Sequence, residues 1–209
     1  MAAPSYITGS ETDDTDTSPS ARAKGSHLTA GVKLPPVTLP STSGYAVDLT
    51  RLPPRCILIL YPLALAQDQA PPSAWTRIPW ATACTQQLLG FNSHYREFRA
   101  RRVDLFGIST QSSIVQLAVA ENLALRFPLL SDGSSVLARA LRLPMLQVGR
   151  RQRLPRIVLA VRDGHIDRVV YPSTSPSSVT EVLREWAGIL AARSDGSPVY
   201  SCDSQIGRD

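Results

Sequence analysis

The run CILILY (56–61) constrains this chain more than any other stretch. It is strand-length, wholly apolar and without alternation. A strand with one wet face would show apolar and polar residues in turn, so this one needs cover on both faces of its sheet. The chain must therefore build at least three layers. Its 209 residues and 43% hydrophobic content suffice for one such domain with tails.

The rest of the pattern supplies those layers. Residues 1–30 are rich in Ser, Thr, Asp and Gly, lack apolar periodicity and read as a disordered tail. A globular domain over 31–193 opens with short extended pieces in GVKLPPVTLPSTSGYAVDLT, turning at Ser43-Gly44. After CILILY, the Pro- and Ala-rich YPLALAQDQAPPSAWTR (61–77) reads as a long loop. From Cys84, Leu88, Phe91, Tyr95 and Phe98 recur at helical spacing and predict one helix with one buried face. RVDLFGIST (102–110) is a second strand. SSIVQLAVAENLAL (112–125) is a helix with Ser112 as N-cap, FPLLSD (127–132) is extended, and SSVLARALRL (134–143) is helical. RIVLAV (156–161) and HIDRVVYP (165–172), joined through Asp163-Gly164, make a hairpin. A last helix covers 177–193, and 194–209 is a polar, flexible tail. Alternation followed by a closing hairpin and helix predicts an α/β sandwich with a mixed central sheet, thioredoxin-like, with a flavodoxin-like arrangement as the alternative.

The net charge of +5 comes from 22 basic residues, all Arg except Lys24 and Lys33. The Arg residues are scattered, and the strands lack interleaved aromatics, so a nucleic-acid surface is not expected. No apolar run is long enough to span a membrane. The acidic, polar N-terminus resembles neither a secretory signal nor a mitochondrial presequence. The cytoplasm is the expected location, with the nucleus as the alternative.

Three cysteines, Cys56, Cys84 and Cys202, with no short spacing, argue against a disulfide framework, and the three histidines are too dispersed for a zinc site. Cys56 lies inside the apolar strand and reads as core. Cys84 opens a helix, where unpaired N–H groups and the helix dipole stabilise a thiolate and should lower its pKa. No cation stands in the first turn, so an arginine must arrive through the fold.

These segments together resemble the peroxiredoxins of the AhpC/TSA and bacterioferritin-comigratory type over residues 31 to 190. CILILYP is similar to the strand that ends in Tyr-Pro before the catalytic loop. ACTQQLLGFNSHYREF is similar to the segment of the peroxidatic cysteine. VDLFGIST, FPLLSD and RIVLAVRDGHI follow in the family's order. The resemblance implies a thioredoxin-like fold and a thiol-dependent peroxidase, with Cys84 as peroxidatic cysteine, Arg156 as the cation beside it and Gln87 as the residue that orients Arg156. It implies no metal or flavin, a peroxide substrate, and a thiol reductant such as thioredoxin, glutaredoxin or glutathione. Family members often form homodimers.

The active-site motif departs from the family's. In Pro-x-x-x-Thr-x-x-Cys, the Thr position is Ala81 and the Pro position is Arg77; Thr82, one residue off, and Pro79, two off, can substitute only if the loop is re-routed, and on that basis Thr82 joins Cys84, Arg156 and Gln87 as an expected catalytic residue. Related long-loop sequences have glycines where this chain has Trp80 and Ala83. A resolving cysteine is absent at Leu89, leaving Cys202 or an external thiol to resolve a sulfenic acid. Two other readings stand beside the peroxidase: a thioredoxin-fold binding protein without activity, and a redox helper for one substrate. A reactive, low-pKa Cys84 with Arg156 within about 3–4 Å of the thiol or its helix start favours the first.

Overall fold

The computed structural model describes residues 28–66, 70, 83–171, 180 and 183–188. Its centre is a five-stranded mixed sheet. The strands are β3 (Arg55–Leu60), β4 (Asp104–Ser109), β5 (Leu129–Ser131), β8 (Ile157–Arg162) and β9 (His165–Val170). Their order is β5-β4-β3-β8-β9. β3 runs parallel to β4, and β4 to β5; β8 and β9 return antiparallel.

β3 shows why CILILY is apolar throughout. Ile57 and Ile59 point into one layer with Cys84, Leu88 and Phe91, while Cys56, Leu58 and Leu60 point into the other with Leu49, Leu137 and Leu154. Residues 56–61 are all 0% exposed. Each aliphatic side chain buried this way contributes about 1.5–3 kcal/mol relative to exposure.

The first layer holds α1 (Ala83–Ser93), α2 (Tyr95–Ala100) and α3 (Ser113–Asn122). The second holds α4 (Val136–Ala140) and the N-terminal segment with β1 (Thr38–Leu39) and β2 (Val47–Asp48). That segment also covers both sheet edges, through bridges from Lys33 to His165 and from Ser41 to Leu130. The β8–β9 turn has Asp163 at φ 49° and Gly164 at φ 73°, the pair of left-handed residues a type I′ hairpin needs.

Three details differ from the sequence expectations. The helix expected from Cys84 through Phe98 is two helices broken at His94. Asn92 holds the Ala124 carbonyl and the Arg126 N–H with its side chain, and the Ser93 hydroxyl donates back to the Gly90 carbonyl. Such back-bonding competes with the helical ladder and bends it. The apolar stripe survives the break, with Phe91 and Phe98 rings 5.9 Å apart. The helix expected over 134–143 shortens to α4, because the buried Asp132 carboxylate caps it from outside, accepting from the Leu137 and Ala138 N–H groups. The basic GRRQR stretch lies in an unexpected hairpin of β6 (Leu146–Val148) and β7 (Arg151–Arg153). Ser112 caps α3 as expected, its hydroxyl accepting from the Val115 N–H at 3.5 Å.

Most of the expected long loop and of the expected final helix lies outside the described residues. Of that helix, Leu183 and Ala187 are buried against the first layer. The Trp186 ring centroid lies 5.1 Å from the guanidinium carbon of Arg55 and 5.7 Å from that of Arg162, and its Nε1 donates to Asp167. No helix among the described residues is long and apolar enough to cross a membrane.

Candidate active site

The register of the sheet assembles the site. Leu60, the last residue of β3, pairs with Ile157, the first of β8, and with Ile108 near the end of β4. Arg156, just before β8, therefore stands at the end of the sheet where β3 and β4 finish. α1 begins there too, and Cys84 is its second residue.

Arg156 and Gln87, 69 residues apart in sequence, meet: Arg156 donates through Nε and Nη2 to Gln87 Oε1 at 3.4 and 3.3 Å. Gln87 is fully buried. The Arg156 charge acts on Cys84, three residues before Gln87, and pulls the thiol pKa down; the Leu63 backbone N–H does the same. Arg156, brought in by the fold, is thus a cation whose charge reaches Cys84.

Burial outweighs both. Cys84 is 0% exposed, and loss of solvent pushes its thiol up from 9.0 to about 11. The lowered pKa expected from the helix start does not hold in this arrangement. Helix termini and a nearby cation favour a thiolate only after the cost of taking it out of water is met. Burial also lowers the Arg156 pKa, while Cys84 raises it.

Cys56 sits in the opposite layer, pushed up to about 12 by burial and then by Asp104. Its reading as core agrees with this position. Thr82 and Cys202 lie outside the described residues.

Two residues that the sequence reading passed over hold the polar floor of the site. The buried Gln111 side chain accepts from the Ala64 N–H and donates to the Ala64 carbonyl, both at 2.9 Å. It thereby fixes the chain one residue after Leu63, whose N–H serves the thiol. Gln116 donates to Ser109 Oγ at 2.7 Å and to the Leu130 carbonyl at 3.0 Å. Its place in a helix with an apolar stripe gave no signal of a buried role; Gln111, directly after a strand end, gave only a weak one. Among the described residues, no group of three or more His, Cys, Asp or Glu side chains is placed to hold a metal ion.

A central mixed sheet whose strand ends gather a cysteine at a helix start, an arginine and its glutamine partner defines the peroxiredoxin class of thioredoxin-like proteins. The chain matches the AhpC/TSA family over residues 30–169, and it belongs to that family, whose peroxiredoxin members are thiol peroxidases. Among solved structures, it resembles peroxidoxin BcpB from Mycobacterium tuberculosis at 19% identity, covering 79% of this chain and 100% of that one, with a TM-score of 0.64. Peroxiredoxin Q from Xanthomonas campestris gives 20% identity, 76% and 98% coverage, and a TM-score of 0.58. AhpC from Enterococcus faecalis gives 17% identity, 78% and 93% coverage, and a TM-score of 0.58. No curated protein matches the chain in sequence.

Proposed function

We propose that this protein reduces hydrogen peroxide or organic hydroperoxides through Cys84, in a one-cysteine cycle. The observation that carries the reading is the Arg156–Gln87 contact, which supports a fixed positive charge beside the Cys84 thiol. The thiolate sulfur attacks the terminal peroxide oxygen. An S–O bond forms and the O–O bond breaks, and its electron pair leaves on the alkoxide or hydroxide, which takes a proton to depart as alcohol or water. Cys84 is oxidised to a sulfenic acid. Arg156 would stabilise both the thiolate and the departing oxygen.

Resolution falls to an external thiol. Leu89 stands where a resolving cysteine would be, and Cys56 is sealed in the opposite layer. One thiol condenses with the sulfenic acid, releasing water and leaving a mixed disulfide; a second thiol displaces Cys84 and restores it. The Xanthomonas bacterioferritin comigratory protein, a structural neighbour at 20% identity, is described as reducing alkyl peroxides. That supports including organic hydroperoxides among the substrates.

The test is stopped-flow oxidation of the reduced protein by hydrogen peroxide, beside Cys84→Ser, with rates normalised to the thiolate present at each pH. Oxidation faster per thiolate than free cysteine, and abolished by the substitution, supports the peroxidase. A rate equal to that of free cysteine leaves the fold without the activity and favours a binding role. Mass spectrometry after peroxide and glutathione decides the cycle: a glutathione adduct on Cys84 supports it, whereas a Cys84–Cys202 disulfide overturns it.

A further inference from the structure

The basic stretch around the β6–β7 hairpin has no part in the chemistry assigned to Cys84 and Arg156. Between Asp132 and Asp163 the chain carries seven arginines and no Asp or Glu. The fold brings part of that charge to the active end of the sheet. Met145, just before β6, packs against one layer, and Val148, the last residue of β6, packs against the layer that holds Cys84. Thr110, directly after β4, donates through Oγ1 to the Gln152 carbonyl at 3.3 Å and so ties β7 to the strand end. The hairpin therefore lies across the end of the sheet where α1 begins.

Arg153 is the inward residue of β7. Arg151 and Gln152 are exposed, while Arg153 is 8% exposed and is the one buried Lys or Arg among the described residues. Its side-chain partner is Thr110 Oγ1, 3.5 Å from Nη1, at the limit of a hydrogen bond. Among the described residues no carboxylate pairs with it, whereas Arg99, Arg162 and Arg184 each have one. Burying a charge without an opposite charge is unfavourable, and buried charges in proteins are as a rule paired. Burial, and then the neighbouring Arg151 charge, hold the Arg153 pKa below its usual value, and an anion at this place would offset both.

Arg153 stands three residues before Arg156. Three residues of extended chain span at most about 11 Å, so a molecule of a few carbons reaches from one guanidinium to the other. We propose that Arg153 is a carboxylate-binding residue beside the active site, holding the carboxylate of a small co-substrate while its reacting group meets Cys84. A planar guanidinium suits that group, because its paired N–H donors match both carboxylate oxygens. Two co-substrates of the proposed cycle can carry a carboxylate: an organic hydroperoxide in the oxidation step and a low-molecular-weight thiol in the resolution step. The inference rests on the peroxidase reading and adds a preference to it, for anionic over neutral co-substrates.

The test compares matched acids and esters. Oxidation of the reduced protein is timed with ω-hydroperoxyhexanoic acid, with its methyl ester and with hydrogen peroxide. Reduction of the sulfenic acid is timed with glutathione and with its diethyl ester. Each measurement is repeated with Arg153→Gln. A charge-assisted pair predicts that the acid reacts about 10–100-fold faster than the ester in at least one step, at equal concentrations well below saturation. Arg153→Gln should remove that preference and leave the hydrogen peroxide rate within about twofold. A preference in oxidation assigns the carboxylate to the peroxide, and one in resolution assigns it to the thiol; either supports the proposal. Equal rates for acid and ester in both steps overturn it, and that comparison needs only the unsubstituted protein. So does a preference that survives Arg153→Gln. A fall with hydrogen peroxide as large as the fall with the acid also overturns it, since hydrogen peroxide has no carboxylate to hold. If hydrogen peroxide oxidises the unsubstituted protein no faster per thiolate than free cysteine, the peroxidase reading fails and this proposal with it. Fast oxidation without an acid preference in either step defeats this proposal alone.

Discussion

Gln111 clasps the backbone of Ala64 from 47 residues away, accepting from its N–H and donating to its carbonyl at 2.9 Å each. Gln111→Ala strips both partners from a buried peptide unit and should cost about 2–4 kcal/mol. It should also loosen Leu63, whose N–H lowers the Cys84 pKa. Denaturant unfolding reads the first effect, and the pH dependence of Cys84 alkylation reads the second as a shift to higher pH. Alkylation unchanged in a destabilised variant would confine Gln111 to holding the fold.

Arg156 faces the thiol as a charge and Gln87 as a donor. Arg156→Met removes both and leaves Gln87 Oε1 unpaired. Cys84 alkylation at neutral pH should slow, because the remaining terms push the thiol further up. Peroxide reduction should slow more, by about 100-fold, because the departing oxygen also loses its cation. Equal slowing in both reactions would mean that Arg156 serves only to ionise the thiol.

The thiol reactions should rise with pH. With Cys84 at about 11 in the folded protein, its thiolate fraction climbs about tenfold per pH unit through the neutral range. Rates of alkylation across pH 6 to 10 check this. A plateau near neutrality would show that the reacting form exposes the sulfur.

Alkaline stability follows from the same burial. Cys84 and Cys56 are raised from 9.0 to about 11 and about 12. Below about pH 9 both are protonated in folded and unfolded chains, and their contribution is fully present. Above it the unfolded chain loses those protons first, so stability falls as pH rises toward 11 and 12. For Cys84 alone, that shift corresponds to a few kcal/mol, on the order of 1.4 kcal/mol per unit. Urea midpoints between pH 8 and 11 should decline, and Cys56→Ala should flatten the decline while lowering the starting value. A flat profile in the unsubstituted protein would contradict the burial of both thiols.

Gly107 marks a close approach. A Cβ there would meet Leu129 Cδ2 at 2.4 Å and the Tyr61 ring at 3.3 Å. The leucine terminus can swing aside, but the Tyr61 ring, packed against the sheet, has less room. Gly107→Ala should therefore destabilise by about 1–3 kcal/mol. Wild-type stability would show that Leu129 absorbs the whole contact.

Local signals in the sequence determined much of this protein. The unalternating CILILY demanded cover on both faces; Ser112 set the start of α3; Asp163-Gly164 fixed the β8–β9 turn; Cys84 followed from the onset of helical spacing. Each rests on residues within a few positions of one another, where periodicity, capping and turn conformation act. What the tertiary structure decided lies between distant residues. Only the sheet order brings Arg156 beside Gln87, brings Gln111 to Ala64, and gathers Gln111 and Gln116 on the Ser109 hydroxyl. The break at His94 depends on backbone groups of Ala124 and Arg126, and the start of α4 on Asp132 reaching forward to cap it. The ionisation of Cys84 shows the division most plainly. Its place at a helix start predicts a thiolate, but desolvation depends on every layer packed over the sulfur, and that larger effect set the sign.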